Sequence, residues 1–214
     1  MSDASAAPPD SLPDALLARA ADLFFERGFA SVTTADVASA AGISKKTLYR
    51  LFPTKEALLL AAVRREMEAF SGKLDGIIAS PGAGPLAVMR EFLRALAGQM
   101  ARVSKVLASD VRRLPALWRA IDRLRQDLLL GRLGRLLERM VADGIVRDDI
   151  DRRLIMELHV VLIQNLVTPH QIFRLEMSPV SMLEGVVKIV YGGILTGRGR
   201  RGMTRELAEE KGTP

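Results

Sequence analysis

Residues Val32–Lys55 read VTTADVASAAGISKKTLYRLFPTK, and the organisation of the chain follows from how this stretch folds. Thr33 is an N-cap residue type, and Asp36 three positions later is the acidic counterpart of a capping box. A short helix therefore opens at Thr33 and runs to Ala41, where Gly42 supplies a turn. Ser44 is the N-cap of a second short helix, with Ile43 and Leu48 spaced as a hydrophobic staple. That helix ends at Phe52, because Pro53 cannot continue it. Helix, glycine turn and helix make a helix-turn-helix.

The residue types divide this motif into two sides. Ala38 and Ala41 are small where the helices meet, and Ile43, Leu48 and Leu51 form an apolar side to bury. Ser44, Lys45, Lys46, Thr47 and Arg50 are hydrogen-bond donors, as needed to meet phosphate and base acceptors in a major groove. Tyr49 combines an apolar ring with a phenol that reaches a phosphate. Lys55 lies in the first turn of the next helix, beside unpaired backbone N–H groups that suit a phosphate oxygen. Charge supports the reading locally: residues 42–56 hold Lys45, Lys46, Arg50 and Lys55 against Glu56 alone. The net charge of +6 says less, since residues 1–56 carry six Lys/Arg and seven Asp/Glu.

Outward from this motif the chain reads as helix, with no sustained alternation that would make a sheet. Residues 1–12, rich in Ala, Ser, Pro and Asp, read as a disordered tail. A helix from Pro13 ends at Arg27, with Gly28 as a left-handed cap. The helix after the motif starts at Thr54 and runs to about Ser80, and Ser80–Pro85 is a clear break. Further helices are expected over Leu86–Ala101, Ser104–Arg113, Pro115–Asp143, from Asp148 or Asp149 to Thr168, and from Pro179 to about Gly197. The basic stretches Arg112–Arg139 and Arg198–Arg205 read as a solvated face and a frayed end. The expected architecture is all-α. A three-helix helix-turn-helix domain is expected over residues 13–56, a larger helical domain over residues 57–200, and a flexible tail over residues 201–214.

Several function classes are set aside. The absence of cysteine excludes disulfides, thiolate metal sites and cysteine nucleophiles. His159 and His170 are eleven residues apart, about 16 Å along an unbroken helix, so they cannot share a metal. No glycine-rich phosphate loop appears. An enzyme is not expected, nor a cofactor or metal. The N-terminus lacks a signal-peptide pattern and no apolar run reaches membrane-spanning length, so a cytoplasmic protein without a membrane partner is expected.

The run TTADVASAAGISKKTLYRLFPTKEALLLA, together with Leu23–Phe29 reading LFFERGF, resembles the DNA-binding signature of the TetR family without a gap over about residues 13–62. Arg112–Leu117 and Leu136–Arg139 also resemble stretches of multidrug-type members. The resemblance implies a homodimeric repressor that binds palindromic double-stranded DNA and is released by a small apolar or amphipathic effector. It places Thr33 and Thr34 against phosphate or sugar, Ser44, Lys45, Lys46 and Thr47 against bases or nearby phosphates, and Tyr49 and Lys55 on the backbone. Thr34 takes a place often held by Val or Ile. The pair Lys45–Lys46 departs from the neutral second residue of many members and implies stronger phosphate or guanine contact. An architectural or protein-binding helical module, and an activator of the same family, are the alternatives.

The effector is expected among the helices over about residues 86–168. Met89, Phe92, Leu96, Met100 and Trp118 are apolar at helical spacing, which suits either a core or an adaptable pocket. His159 lies on a face with Ile155, Leu158, Leu162, Ile163 and Leu166, where it is a core or interface histidine or, with Ile163, a ligand contact. The dimer is expected to form through Asp151–Thr168 and Pro179–Thr196. Leu154, Leu158, Val161 and Asn165 would face outward from the first, and Leu183, Val186, Val187 and Val190 from the second.

Overall fold

A computed structural model of the chain describes residues 11–209. Among these, eleven helices follow in the order α1 (Ser11–Arg27), α2 (Thr34–Ala40), α3 (Lys45–Leu51), α4 (Lys55–Ile78), α5 (Pro85–Ala101), α6 (Lys105–Arg112), α7 (Pro115–Ala142), α8 (Arg152–Asn165), α9 (Pro169–Arg174), α10 (Pro179–Ile194) and α11 (Gly197–Glu209). The all-α class is the one the sequence led us to expect, and the described residues contain no strand, only an isolated antiparallel bridge between Val146 and Leu195. The N-terminal tail lies outside the described residues up to position 10, and Ser11 already belongs to α1.

The helices gather into two compact units. The first comprises residues 1–69 and 103–124, so α6 and the start of α7 join the helix-turn-helix. Its core is built on Leu16, Ala20, Phe24, Val37, Leu48, Leu58 and Leu59, each almost wholly removed from water. Burial of this kind stabilises by roughly 1.5–3 kcal/mol per large side chain, and it joins helices that are individually too short to persist alone. Gly28 ends α1 with φ +87°, and a Cβ there would stand 2.4 Å from Val106 Cγ1 on α6. Both facts demand glycine. The turn after it is fastened by Asp110, whose carboxylate accepts the Ala30 N–H at 2.8 Å. The Ser104 N–H bonds to the Phe25 carbonyl at 3.1 Å in the same unit.

The second unit comprises residues 70–102 and 125–214. Its core runs from Leu74 through Met89, Phe92, Leu136 and Met140 to Leu183, Val187 and Tyr191. Within it Arg132 of α7 bonds Ser71 and reaches Asp75 of α4 at 2.5 Å, while Arg135 reaches Asp75 at 2.8 Å. These guanidinium neighbours, the hydrogen bond from Arg132 first, hold the Asp75 carboxyl below its ordinary range.

Several elements differ from the sequence reading. The helix expected to start at Asp148 or Asp149 is capped instead by Asp151, whose side chain accepts the Arg153 N–H; Asp149 is engaged by Arg147. That helix stops at Asn165 rather than Thr168. Thr168 caps the short α9, with Pro169 in its first turn. The fixed φ of proline suits the start of a helix. The region expected to be a flexible tail carries α11, which lies against its neighbours through two glycines. A Cβ on Gly199 would meet the Ile145 carbonyl oxygen at 2.2 Å, and one on Gly202 would meet Leu86 at 2.5 Å. Hydrophobic periodicity cannot detect a basic helix seated by glycines.

Candidate nucleic-acid interface

The cap of α2 is a reciprocal capping box. Thr33 Oγ1 accepts the Asp36 N–H at 3.2 Å, and Asp36 Oδ2 accepts the Thr33 N–H at 2.8 Å. Thr33 also donates its hydroxyl to Asp36 at 2.7 Å. These bonds, led by the backbone donor, hold the Asp36 carboxyl below the usual carboxylate range. Both donors of Thr33, expected at a phosphate, are thus engaged inside the cap.

α3 is positioned by Ser44 and by the turn before it. Gly42 takes φ +66°, and the Ile43 N–H bonds the Ala38 carbonyl at 2.9 Å, closing the angle between the helices. Ser44 Oγ accepts the Thr47 N–H at 3.0 Å and lies 2.9 Å from Thr47 Oγ1. Leu48 is buried and Ile43 packs against the core beside it, but Leu51, expected to be buried with them, stays 38% exposed. Lys45, Lys46 and Arg50 are exposed, and no described residue forms an ion pair with them.

Two pairs of hydroxyls reach the surface. Thr34 Oγ1 and Tyr49 Oη are 3.0 Å apart, joining the start of α2 to the middle of α3. One proton of this pair closes the bond, and the other is left for an outside acceptor. The same count holds for the Ser44–Thr47 hydroxyl pair. Tyr49 is half exposed, its ring resting where its phenol can reach outward. Lys55 does not extend freely: its ammonium lies 4.4 Å over the Phe29 ring and gives a 3.4 Å bond to the Ala30 carbonyl. One N–H of the first turn of α4 is taken by Thr54, whose Oγ1 accepts from Ala57 at 3.0 Å.

Three residues that shape this site escaped the sequence reading. Asp110 fastens the turn before α2 from eighty positions away, and Val106 and Phe29 set the places of Gly28 and Lys55. No local pattern announces such contacts.

The expected pocket residues fall in two places. Met89, Phe92, Leu96, Met100, His159 and Ile163 are buried in the second unit, whereas Trp118 packs in the first. His159 bonds on both ring nitrogens, Nδ1 to the Ile155 carbonyl at 2.7 Å and Nε2 to Tyr191 Oη at 3.1 Å. A carbonyl only accepts, so Nδ1 carries the proton and the neutral ring takes the tyrosine proton at Nε2. Burial pushes the His159 pKa down against the raising effect of the Ile155 carbonyl, and burial pushes the Tyr191 pKa up. No helix of the described residues is long and apolar enough to cross a membrane.

A capped α2, a glycine turn and an α3 facing outward with donors define a helix-turn-helix DNA-binding domain. Residues 16–62 match the family model of bacterial regulatory proteins, tetR family. The HTH-type transcriptional regulator RutR of Escherichia coli (strain K12) is 34% identical over 80 residues. That match spans 37% of this chain and 37% of the relative. Over residues 16–62 the chain is thus similar to the DNA-binding domain of that family, and the match spans little more than a third of the curated relative's length. Over most of its length it shares the fold of solved relatives. The regulatory protein TetR from Rhodobacter sphaeroides aligns with TM-score 0.65 and 20% identity, covering 86% of this chain and 99% of the other. A gamma-butyrolactone receptor described as ArpA-like aligns with TM-score 0.59 and 21% identity, covering 95% and 98%.

Proposed function

We propose that this protein is a transcriptional repressor that binds palindromic operator DNA as a homodimer and is released by a small apolar or amphipathic effector. The observation that carries the DNA-binding part is the outward face of α3, where Lys45, Lys46 and Arg50 stand exposed beside the Ser44–Thr47 pair. Ser44, Lys45, Lys46, Thr47 and Arg50 read bases or adjacent phosphates, and Thr34 with Tyr49 offers one hydroxyl proton to the backbone. Thr33 acts through its cap and its place at the start of α2. Lys55, with Phe29 beneath its ammonium, holds a phosphate.

One reading helix makes too few contacts for specificity, so two copies act on paired half-sites. Support for the pairing comes from apolar side chains the protomer leaves in water. Leu154 (65% exposed), Leu158 and Val161 (52%) form a stripe on α8, and Ile189 (81%) stands beside exposed Gly192 and Gly193 on α10. The face of α10 is not the one expected, because Leu183, Val187 and Val190 are buried in their own core. An almost wholly apolar helix gives no sequence signal for which side is free.

Effector control needs a ligand that prefers one conformation over another. α4 is unbroken from Lys55 to Ile78. α6 bears the Asp110 and Val106 contacts that set the turn before α2. A shape change of the size of those contacts alters the separation of two reading helices that must fit half-sites about 34–36 Å apart. The small-molecule receptor among proteins of this fold supports the same reading. Selecting bound genomic fragments with the purified protein, then screening compounds for release, tests it. If no compound alters affinity for a selected fragment, effector control is refuted while DNA binding stands.

A further inference from the structure

We propose that each operator half-site presents two guanines, within about two base steps of each other, whose major-groove edges are read by Lys46 and Arg50, while Lys45 and Tyr49 hold flanking phosphates. The assignment rests on the DNA-binding reading above and adds to it the bases required. Leu48 is buried and fixes which side of α3 faces the protein. At about 100° per residue, Lys46 and Arg50 each stand about 160° from Leu48, one on either side of the outward direction. Tyr49 and Thr47 lie about 100° from Leu48 on opposite flanks, and Lys45 about 60° from it on the Tyr49 side. The Tyr49 flank is tied to the start of α2 by the 3.0 Å hydroxyl contact with Thr34, and the Thr47 flank to the cap by Ser44. The side chains of Lys46 and Arg50 are exposed and have no hydrogen bond or ion pair among the described residues, so they are the two that enter a groove end-on.

The chemistry of these two side chains selects the base. Lysine and arginine donate and cannot accept. In the major groove guanine offers two acceptors, N7 and O6, whereas adenine and cytosine each present an amino donor, and thymine offers a single acceptor beside its methyl group. A cationic head set against an amino group leaves donors on both sides without partners, at the cost of their lost hydration; set against guanine, it is met by acceptors. Reading adenine or cytosine takes a carboxamide or a carboxylate. Residues 42–55, GISKKTLYRLFPTK, contain neither. The single carboxylate of residues 32–55 is Asp36, which is spent on the N–H and hydroxyl of Thr33 inside the capping box. Hydroxyls accept as well as donate, but those of Thr47 and Tyr49 stand on the flanks and are already bonded in pairs. Lys46 and Arg50 are four residues apart, about 6 Å along α3, and bases follow one another at about 3.4 Å along a strand, which sets the spacing of the two guanines.

Selection of bound duplexes from a random-sequence pool with the full-length protein gives the half-site, and guanine analogues in that duplex then test the contacts. We expect two guanines per half-site at the stated spacing. Replacing either by 7-deazaguanine, which lacks the N7 acceptor, should lower affinity about tenfold. Replacing either by hypoxanthine, which keeps N7 and O6, should leave affinity as it is. Lys46→Gln, at an exposed position and so with the thermal midpoint retained, should move the preference at one position from guanine to adenine, because a carboxamide both donates and accepts. Lys45→Ala should weaken binding to all sequences alike. A selected half-site without the two guanines, full affinity for the 7-deazaguanine duplexes, or an unchanged base preference in Lys46→Gln overturns the assignment while sequence-specific DNA binding stands. A pool from which no sequence is enriched overturns the DNA-binding reading, and the assignment with it.

Discussion

The Asp110 carboxylate on α6 accepts the Ala30 N–H at 2.8 Å, closing the turn between α1 and α2 from eighty positions away. This bond ties α6 to the turn before α2. Asp110→Ala leaves the Ala30 N–H to water and should cost about 1 kcal/mol. It should also weaken operator binding through misplacement of α2. Asp110→Asn keeps an acceptor and should restore most of both. Chemical denaturation and DNA titration of the two variants check this; equal loss in both would show that the charge, not the bond, matters.

Gly28→Ala should be more damaging. The new Cβ enters a left-handed φ of +87° and meets Val106 Cγ1 at 2.4 Å. Backbone strain of about 1 kcal/mol or more adds to the clash, for a total of roughly 2–3 kcal/mol. A paired Val106→Ala should recover the steric part and leave the conformational part, so a double-mutant cycle separates the two.

Much of this was legible in the sequence, and the failures have physical causes. Thr33, Asp36, Gly42, Ser44 and Pro53 act within four residues of themselves, and the structure puts the capping box, the turn and both short helices where those residues place them. The donor face of α3 follows from helical periodicity alone. By contrast, Asp110, Val106 and Phe29 act across the fold, where spacing carries no information. The free side of α10 was misjudged because nearly every residue on it is apolar. Leu51 was expected inside on residue type, although half of a short surface helix must face water.

Lys55→Ala removes the proposed phosphate partner. Affinity for all DNA sequences should fall, and the slope of log affinity against log salt should shrink by about one. Lys46→Ala or Thr47→Ala should instead change the preferred half-site. A Lys55→Ala protein with wild-type affinity and salt slope would refute the phosphate role; its ammonium would then serve only the Phe29 ring and Ala30 carbonyl.

His159 gives stability a pH dependence of known sign. Burial holds its folded pKa below the ordinary 6.5. The unfolded chain therefore binds the proton first as pH falls, so His159 supports the fold fully above pH 6.5 and progressively less below it. The carboxylates of Asp14, Asp36, Asp75 and Asp149, whose pKa values are lowered, lose their contributions only below about pH 3.8, so the two windows separate. Urea midpoints measured downward from neutral pH should decline in wild type more steeply than in His159→Gln. Parallel curves would show that His159 does not titrate with unfolding.

The central claim is that two copies of this chain read a specific palindrome through α3. It is tested most directly by titrating the protein into a fluorescent fragment selected from genomic DNA and into a scrambled fragment of equal length. The account predicts two protomers per specific site, with affinity about a thousandfold or more above that for the scrambled sequence at physiological salt. Equal affinity for the two fragments, or saturation at a single protomer per site, would contradict it.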